Sequence, residues 1–331
     1  MNKPNLDAET AIDICVVIPV YNAARFIIDA LDSIAIQVRR PDEIIIVDDG
    51  STDNSRELIE AWRKDNDFSV QVLSQEHAGL PAARNAALKI TRRGWVALLD
   101  ADDVWCSSHL ASLESAVRRF SDSILVFGDV YIFSENAIVD EWFSKEKMLA
   151  CGIPEIEGEY YRLGSGLYKS LVPGNYIVPS SMMFFRDKAA SLHFFDEGFH
   201  VMEDYDFLLR FSKQGNFIYT KKLTVGCRDH DANITNEKNA LQINYFSFQA
   251  LRKALDDSFQ STLDVSEQMV TRKQFPVAAG NLIYSASLKG FAAYVTAFCF
   301  LFRNKMKKVA FNPKHFTRAL YFSMSGAAKD G

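Results

Sequence analysis

Apolar residues in this chain fall into short, nearly unbroken runs that alternate with stretches of helical spacing. Ile14-Cys15-Val16-Val17-Ile18-Pro19-Val20 is rich in β-branched residues and predicts a strand buried on both faces of a parallel sheet. Glu43-Ile44-Ile45-Ile46-Val47, Val70-Gln71-Val72-Leu73 and Trp95 to Leu99 repeat the strand signature. Between them, Phe26, Ile27, Ala30, Leu31 and Ile34 recur at helical spacing until Pro41 forbids continuation. Leu58, Ile59 and Trp62 mark a second helix, and Pro81 to Ile90 a third. Four strand and helix units in alternation predict a doubly wound, mostly parallel α/β sheet, whose ligands bind beyond the carboxyl ends of the strands. The polar breaks at Tyr21-Asn22, Asp48 to Asp53 and Asp100 to Asp103 all lie at that edge.

Further on, Ser107 to Phe120 predicts a helix, and Ile124-Leu125-Val126-Phe127 with Val130-Tyr131-Ile132-Phe133 predicts strand. The pattern degrades between Ser134 and Pro173, which suggests an insertion or a mobile loop over the site. Ile177 to Phe185 resumes as extended structure. Glu203 and Asp204 open an amphipathic helix that stops near Gly215. Phe217 to Tyr219 and Leu223 to Cys227 read as strands, and from Asn236 the chain turns helical. The expected division is an α/β domain over 1–235, with halves at about 12–105 and about 106–235, and a helical extension over 236–331.

Composition changes this picture little. The 331 residues are 48% apolar and 24% charged, as in an ordinary globular protein, and the net charge of −5 gives no case for nucleic-acid binding. Five cysteines without a CxxC pair suggest neither a disulfide framework nor a zinc site, and fit a reducing cytosol. Met1 to Thr10 is polar and acidic, where a secretory signal would be basic and then apolar. Asn281 to Phe302 is nearly apolar but interrupted by Lys289, and its unbroken part from Phe291 is too short to span a bilayer. Lys305, Lys307, Lys308, Lys314 and Arg318 follow it. An apolar helix beside a basic cluster suits a peripheral contact through residues 281–318 at the inner face of a cell membrane; a packing helix with a solvated basic tail is the plainer alternative.

The candidate chemistry starts at Trp95-Val96-Ala97-Leu98-Leu99-Asp100-Ala101-Asp102-Asp103, an apolar run ending in three closely spaced carboxylates. Period-two side chains put Asp100 and Asp102 on one face where the backbone leaves the sheet, with Asp103 pointing elsewhere. Two such acids raise each other's pKa unless a cation or several donors lie between them, and carboxylates suit Mg²⁺ or Mn²⁺, ions that bridge to phosphate. The plain alternative is a solvated Asp-rich turn.

Five stretches then combine in order: Val17-Ile18-Pro19-Val20-Tyr21-Asn22, Val47-Asp48-Asp49-Gly50-Ser51-Thr52-Asp53, Gly79-Leu80-Pro81-Ala82-Ala83-Arg84-Asn85, Leu99-Asp100-Ala101-Asp102-Asp103, and Glu203-Asp204. Together they resemble the family 2 glycosyltransferases of GT-A fold. The resemblance covers about the first two-thirds of the chain and carries nothing beyond residue 236 or so. It implies inverting transfer of a single sugar from a nucleoside diphosphate sugar to a hydroxyl of a glycan or lipid-linked acceptor. It also implies a divalent metal at Asp102, with Asp103 a competing ligand or a helix cap, and Asp100 on the ribose or a metal-bound water. Asp49 would accept a hydrogen bond from the base, favouring uracil or thymine with guanine also open, and the backbone of Pro19, Val20 and Tyr21 would line the base pocket. Asp48 would stabilise the turn. Arg84 would reach base or diphosphate, or else form a surface ion pair. Asp204 matches the general base and, at a helix N-terminus, should be ionised at neutral pH; Glu203 would orient the acceptor or a loop. His230 aligns loosely with a histidine near diphosphate or metal, or is structural, and Ser180 and Ser181 would line the acceptor side. His77 departs from the asparagine that relatives often carry.

The rival readings are a sugar nucleotidyltransferase, which wants a Gly-rich loop where this chain has Pro19-Val20-Tyr21-Asn22, and a catalytically silent nucleotide-sugar-binding protein, which has no need of Asp204. No GxGxxG follows the early strands, against a dehydrogenase, and no QxxRW motif marks a processive synthase.

Overall fold

The structure is a computed structural model and describes residues 12–134, 137–142, 155–164, 166–234 and 236–324. The reading of Met1 to Thr10 and that of the 143–154 part of the expected loop lie outside the described residues. The chain divides into two compact units, one running to Leu171 and resuming at Asn175–His230, the other made of Val172–Gly174 and the residues from Asp231.

The first unit is built on β1 (Ile14–Val20), all seven residues of which are buried. It pairs in parallel with β2 (Glu43–Asp48) on one side, Val17 opposite Ile45, and with β4 (Trp95–Leu98) on the other, Val17 opposite Leu98. β3 (Val70–Ser74) extends the parallel set beyond β2. The helices α1 (Ile27–Ala35), α2 (Ser55–Asp65) and α3 (Leu80–Ile90) connect these strands, and Ile27, Ala30, Leu31 and Ile34 of α1 join Val16, Ile18, Ile44 and Ile46 in the core. Burial of each isoleucine, leucine or valine among them contributes about 1.5–3 kcal/mol, which is why the apolar pattern marks these elements.

The far half of the sheet departs from simple alternation. After β5 (Val104–Trp105) and α4 (His109–Arg119) come β6 (Ser123–Ser134) and β7 (Ala137–Trp142). The hairpin strands β8 (Glu155–Glu157) and β9 (Tyr160–Leu163), α5 (Leu167–Leu171), β10 (Met182–Phe185), α6 (Arg186–Ala190), α7 (Glu203–Phe211) and β11 (Asn216–Arg228) complete the unit. The strand order is β3-β2-β1-β4-β10-β6-β11-β9-β8, with β5 on β11 and β7 on β6. β10 runs antiparallel between β4 and β6, so the sheet is mixed.

The strand expected over 124–133 is β6, in which Gly128 lets the Lys222 carbonyl come close and Asp129 accepts the Tyr219 hydroxyl. Several expectations need correction. The pair expected over 217–227 is one strand, with register shifts between Thr220 and Val225. The stretch expected to be unpatterned from Ser134 to Pro173 holds β7, β8, β9 and α5 among its described residues. The Tyr160 and Tyr161 side chains of β9 are buried, a pairing signal that short apolar runs do not carry. Extended structure over Ile177–Phe185 is interrupted by a 3-10 turn at Pro179–Ser181.

The second unit is helical: α8 (Ala240–Ala254), α9 (Asp257–Gln260), α10 (Val265–Leu288), α11 (Phe291–Arg303), α12 (Lys307–Ala310) and α13 (Pro313–Met324). Asp264 and Glu267 form a reciprocal capping box at the start of α10. Phe248 stacks on Phe275 at 4.5 Å and meets Phe300 edge-on at 5.5 Å, tying α8, α10 and α11 together. The apolar stretch breaks at Gly290, whose φ of +100° suits glycine. Among the described residues, no helix is long and apolar enough to cross a membrane.

Candidate functional site

The carboxyl ends of β1, β2 and β4 meet where the polar breaks were expected. The turn after β2 is laced to the one after β1. Asn22, at φ +50°, accepts the Thr52 N–H at 2.8 Å, Ser51 Oγ accepts the Asn22 N–H at 3.0 Å, and Ser55 Oγ accepts the Ala23 N–H at 2.9 Å. Asp48 Oδ1 accepts the Ser51 N–H at 3.0 Å and so closes the turn. Pro19 and Val20 are buried and the Val20 carbonyl accepts the Asp49 N–H, so of these three residues Tyr21 alone presents an exposed side chain.

Asp49 lies beneath this turn with its carboxylate 3% exposed. Oδ1 accepts the Gln75 amide at 2.7 Å and the Ala78 N–H at 2.9 Å; Oδ2 accepts the Gly79 N–H at 2.8 Å and meets His77 Nδ1 at 2.9 Å. Four protein donors fill the acceptor sites of this carboxylate. A ring N–H of a base would have to replace one of them.

The three acids after β4 have three different surroundings. Asp100 Oδ1 accepts Arg84 Nη2 at 2.7 Å. Asp102 Oδ2 lies 3.0 Å from His230 Nε2, and His230 in turn stacks on Phe26 at 4.5 Å. Burial raises the Asp102 pKa and Asp100 adds to this, while His230 opposes it. Asp103 is buried, accepting Ser180 Oγ at 2.6 Å and the Arg228 N–H at 3.2 Å. Burial first, then Asp102 and Asp100, push it well above the ordinary carboxylate range. Both oxygens of Asp103, expected as a competing metal ligand, fasten the turn to Ser180 and to the end of β11. Asp103 is no helix cap, since α4 starts only at His109.

Arg84 is a buried link, 0% exposed, and so not the surface ion pair that was its alternative reading. Nη1 donates to Glu203 Oε1 at 2.5 Å while Nη2 holds Asp100, so the guanidinium joins the acid turn to a residue 119 positions from Arg84 in sequence. Burial works against its charge, but Asp100 and Glu203 outweigh it and hold its pKa above the usual value. The adjacent Asn85 binds Phe195 O at 2.9 Å and Glu197 Oε1 at 2.8 Å, fixing the approach to α7.

Met202, at φ +61°, precedes α7 in the left-handed region, a strained position that turns Glu203 and Asp204 toward Arg84. Asp204 Oδ2 accepts the Asn175 amide at 2.7 Å and Oδ1 the Tyr205 N–H at 2.7 Å. Here the helix terminus does not decide the charge as expected. Burial raises the Asp204 pKa, opposed by Arg84 and these two donors, and Asp100 adds to the rise, so the two acids lie within electrostatic reach. Burial likewise pushes Glu203 up to about 7 against the pull of Arg84.

Ser180 and Ser181, expected on the acceptor side, are buried at 0% and 1% exposure; Ser180 supports the acidic turn, and Ser181 Oγ donates to the Val178 carbonyl at 2.8 Å. Ser180 Oγ accepts the Asp100 N–H at 3.1 Å, and its carbonyl accepts Trp105 Nε1 at 2.7 Å. Asn175 escaped notice in the sequence; an asparagine after Pro173-Gly174 reads as a turn former, and nothing local links it to Asp204.

For a divalent cation, Asp102 and His230 supply one oxygen and one nitrogen donor side by side, a set that Mn²⁺ accepts. Among the described residues, no group of three or more His, Cys, Asp or Glu could hold a metal ion. An ion here would complete its shell with phosphate oxygens and water, as Mg²⁺ commonly does. The residues fit an ion shared with a diphosphate.

Residues 15–191 match the family model described as Glycosyl transferase family 2. Among curated proteins, the glycosyltransferase GlyG of Streptococcus pneumoniae is 34% identical over 124 residues, covering 37% of this chain and 40% of that one. The E. coli UDP-Glc:alpha-D-GlcNAc-diphosphoundecaprenol beta-1,3-glucosyltransferase WfgD is 29% identical over 136 residues, 41% of this chain and 52% of that one. The chain thus spans about half or less of the length of these two relatives. In fold it is similar to S. aureus TarS 1-349 in complex with UDP, with a TM-score of 0.55 at 15% identity over 95% of this chain and 92% of that one. It is also similar to the mannosyltransferase PcManGT of Pyrobaculum calidifontis in complex with GDP-Man and Mn2+, with a TM-score of 0.56 at 17% identity over 96% and 88%. The match over more than half of the chain, on a GT-A sheet, makes this protein a member of glycosyl transferase family 2.

Proposed function

We propose that the chain is an inverting glycosyltransferase that moves one sugar from a nucleoside diphosphate sugar to a hydroxyl of a glycan or lipid-linked acceptor. The carrying observation is the Arg84 bridge, which brings the acid turn after β4 and the start of α7 to one edge of the sheet. Asp204 takes the proton from the acceptor hydroxyl as its oxygen bonds to the anomeric carbon, on the face opposite the departing diphosphate. Asn175 fixes the orientation of that carboxylate, and Glu203, held by Arg84, positions α7. A divalent cation, Mn²⁺ or Mg²⁺, held by Asp102 and His230, would neutralise charge developing on the diphosphate. Asp100, partly exposed beside Arg84, faces the ribose. Asp49, an acceptor for a ring N–H, favours a uridine donor. UDP in the TarS complex and UDP-Glc in the name of WfgD agree with that, and the guanine of GDP-Man in PcManGT also carries such an N–H.

The second unit supports a peripheral contact with an anionic membrane at its cytoplasmic face. Phe302, Phe311, Phe316, Tyr321 and Met324 are exposed along α11 to α13, among Arg303, Lys305, Lys307, Lys308 and Lys314. Apolar insertion and electrostatic attraction together give the binding that neither gives alone.

The test is release of nucleoside diphosphate from a panel of nucleotide sugars with Mn²⁺ and candidate acceptors. Acceptor-dependent release should fall by about a hundredfold or more in Asp204→Asn, with UDP affinity nearly unchanged. Slow release that the substitution leaves untouched would instead support a silent binding protein.

A further inference from the structure

The donor site contains an aromatic side chain that already makes the contacts a base would make. The His77 imidazole stacks on the Tyr21 ring, centroids 4.0 Å apart and 23° between planes. Its Nδ1 lies 2.9 Å from Asp49 Oδ2, so a flat ring with an in-plane N–H meets both a stacking face and a buried carboxylate. Those are the two demands of a nucleobase with a ring N–H. Yet the His77 side chain is 54% exposed, held by no partner of comparable strength on its outer side.

Of the four donors on Asp49, the Ala78 and Gly79 N–H groups belong to the backbone leading into α3 and cannot leave cheaply, while Gln75 and His77 reach it through side chains, and of these His77 alone also covers Tyr21. Gly50, at φ +77°, packs against the His77 backbone so closely that a Cβ there would come within 2.9 Å of the His77 nitrogen. The backbone of residue 77 is packed against Gly50, so the imidazole leaves Tyr21 and Asp49 by turning its own side-chain torsions. A rotation about χ1 frees one acceptor position on Asp49 and one face of Tyr21 together.

We propose that His77 is an internal stand-in for the base: its imidazole occupies the donor's ring position and must swing out before a nucleoside diphosphate seats. This rests on the reading of the site as a nucleotide-sugar site. It makes His77 a specificity-determining residue, because an entering base must outcompete the imidazole at both Tyr21 and Asp49. A base that only stacks replaces the contact with Tyr21 and not the one with Asp49.

The test is calorimetric titration of the whole chain with UDP and with CDP in the presence of Mn²⁺, comparing wild type, His77→Ala and His77→Asn. His77→Ala should bind UDP about tenfold more tightly, as expected when a stack and a charge-assisted hydrogen bond no longer compete. CDP, whose N3 carries no proton, should gain less. In histidine-labelled wild type, the His77 ring resonances should move to solvent-like positions as UDP saturates. UDP binding that is equal or weaker in His77→Ala overturns the inference while leaving the donor site standing. No binding of either nucleotide by any of the three proteins overturns the donor-site reading and this inference with it.

Discussion

Arg84 is the residue on which the acid cluster turns. Its guanidinium is wholly buried and each terminal nitrogen holds a different carboxylate. Removing one partner of a buried ion pair leaves charge without compensation, at a cost of about 3–5 kcal/mol. Arg84→Ala should lower the urea midpoint accordingly, and adding Glu203→Gln should recover part of the loss because one buried charge is gone. Asn175 acts on charge more gently. Its amide lowers the Asp204 pKa against burial, so Asn175→Ala should raise that pKa further. Activity needs the ionised carboxylate, and the acid limb of kcat/KM should move to higher pH by up to about one unit, the worth of a single hydrogen bond. An unchanged acid limb would argue that Asp204 is not the base.

Among the elements, α4 carries a group that senses pH without touching the chemistry. His109 is buried against Trp105, with Nδ1 at 2.8 Å from Thr224 Oγ1, and burial alone depresses its pKa to about 3. The unfolded chain titrates this histidine near 6.5. Above that pH both states are neutral and the group is silent. Between about 6.5 and 3 the unfolded state binds a proton that the folded state refuses, so stability falls with a slope approaching 1.4 kcal/mol per pH unit. His109→Gln should shrink the difference in Tm between pH 7 and pH 5; an undiminished difference would place the sensitivity elsewhere. The helices α11 to α13 make a separate prediction. The protein should sediment with phosphatidylglycerol vesicles and not with phosphatidylcholine, and each of Lys307→Ala, Lys308→Ala and Lys314→Ala should weaken this about fivefold. Equal binding to both lipids would exclude the electrostatic part.

At the scale of the molecule, the site depends on strands remote in sequence. If Asp102 and His230 share a cation with the diphosphate, chelation should abolish nucleoside diphosphate release, Mn²⁺ should restore it, and Asp102→Asn should raise the Mn²⁺ needed by about tenfold or more. Release that survives exhaustive chelation would remove the metal from the mechanism. Much of this arrangement was legible beforehand. The runs forming β1, β2 and β4, the spacing of α1, and the Asp, Ser and Asn turn formers act through neighbours a few residues away, so the sequence by itself determined the parallel half of the sheet and the edge where its polar turns gather. What it could not determine was which charges meet across the fold. Asp49 is filled by the turn after the neighbouring strand β3, while Asp103 spent on Ser180 and Arg228, and Arg84 buried between Asp100 and Glu203, depend on β10 and β11, which lie beyond β4 in the sheet. Hydrophobic periodicity is a local property of the chain; desolvation and partner choice are properties of the packed molecule, and they set the upward shifts of Asp102, Asp103, Glu203 and Asp204.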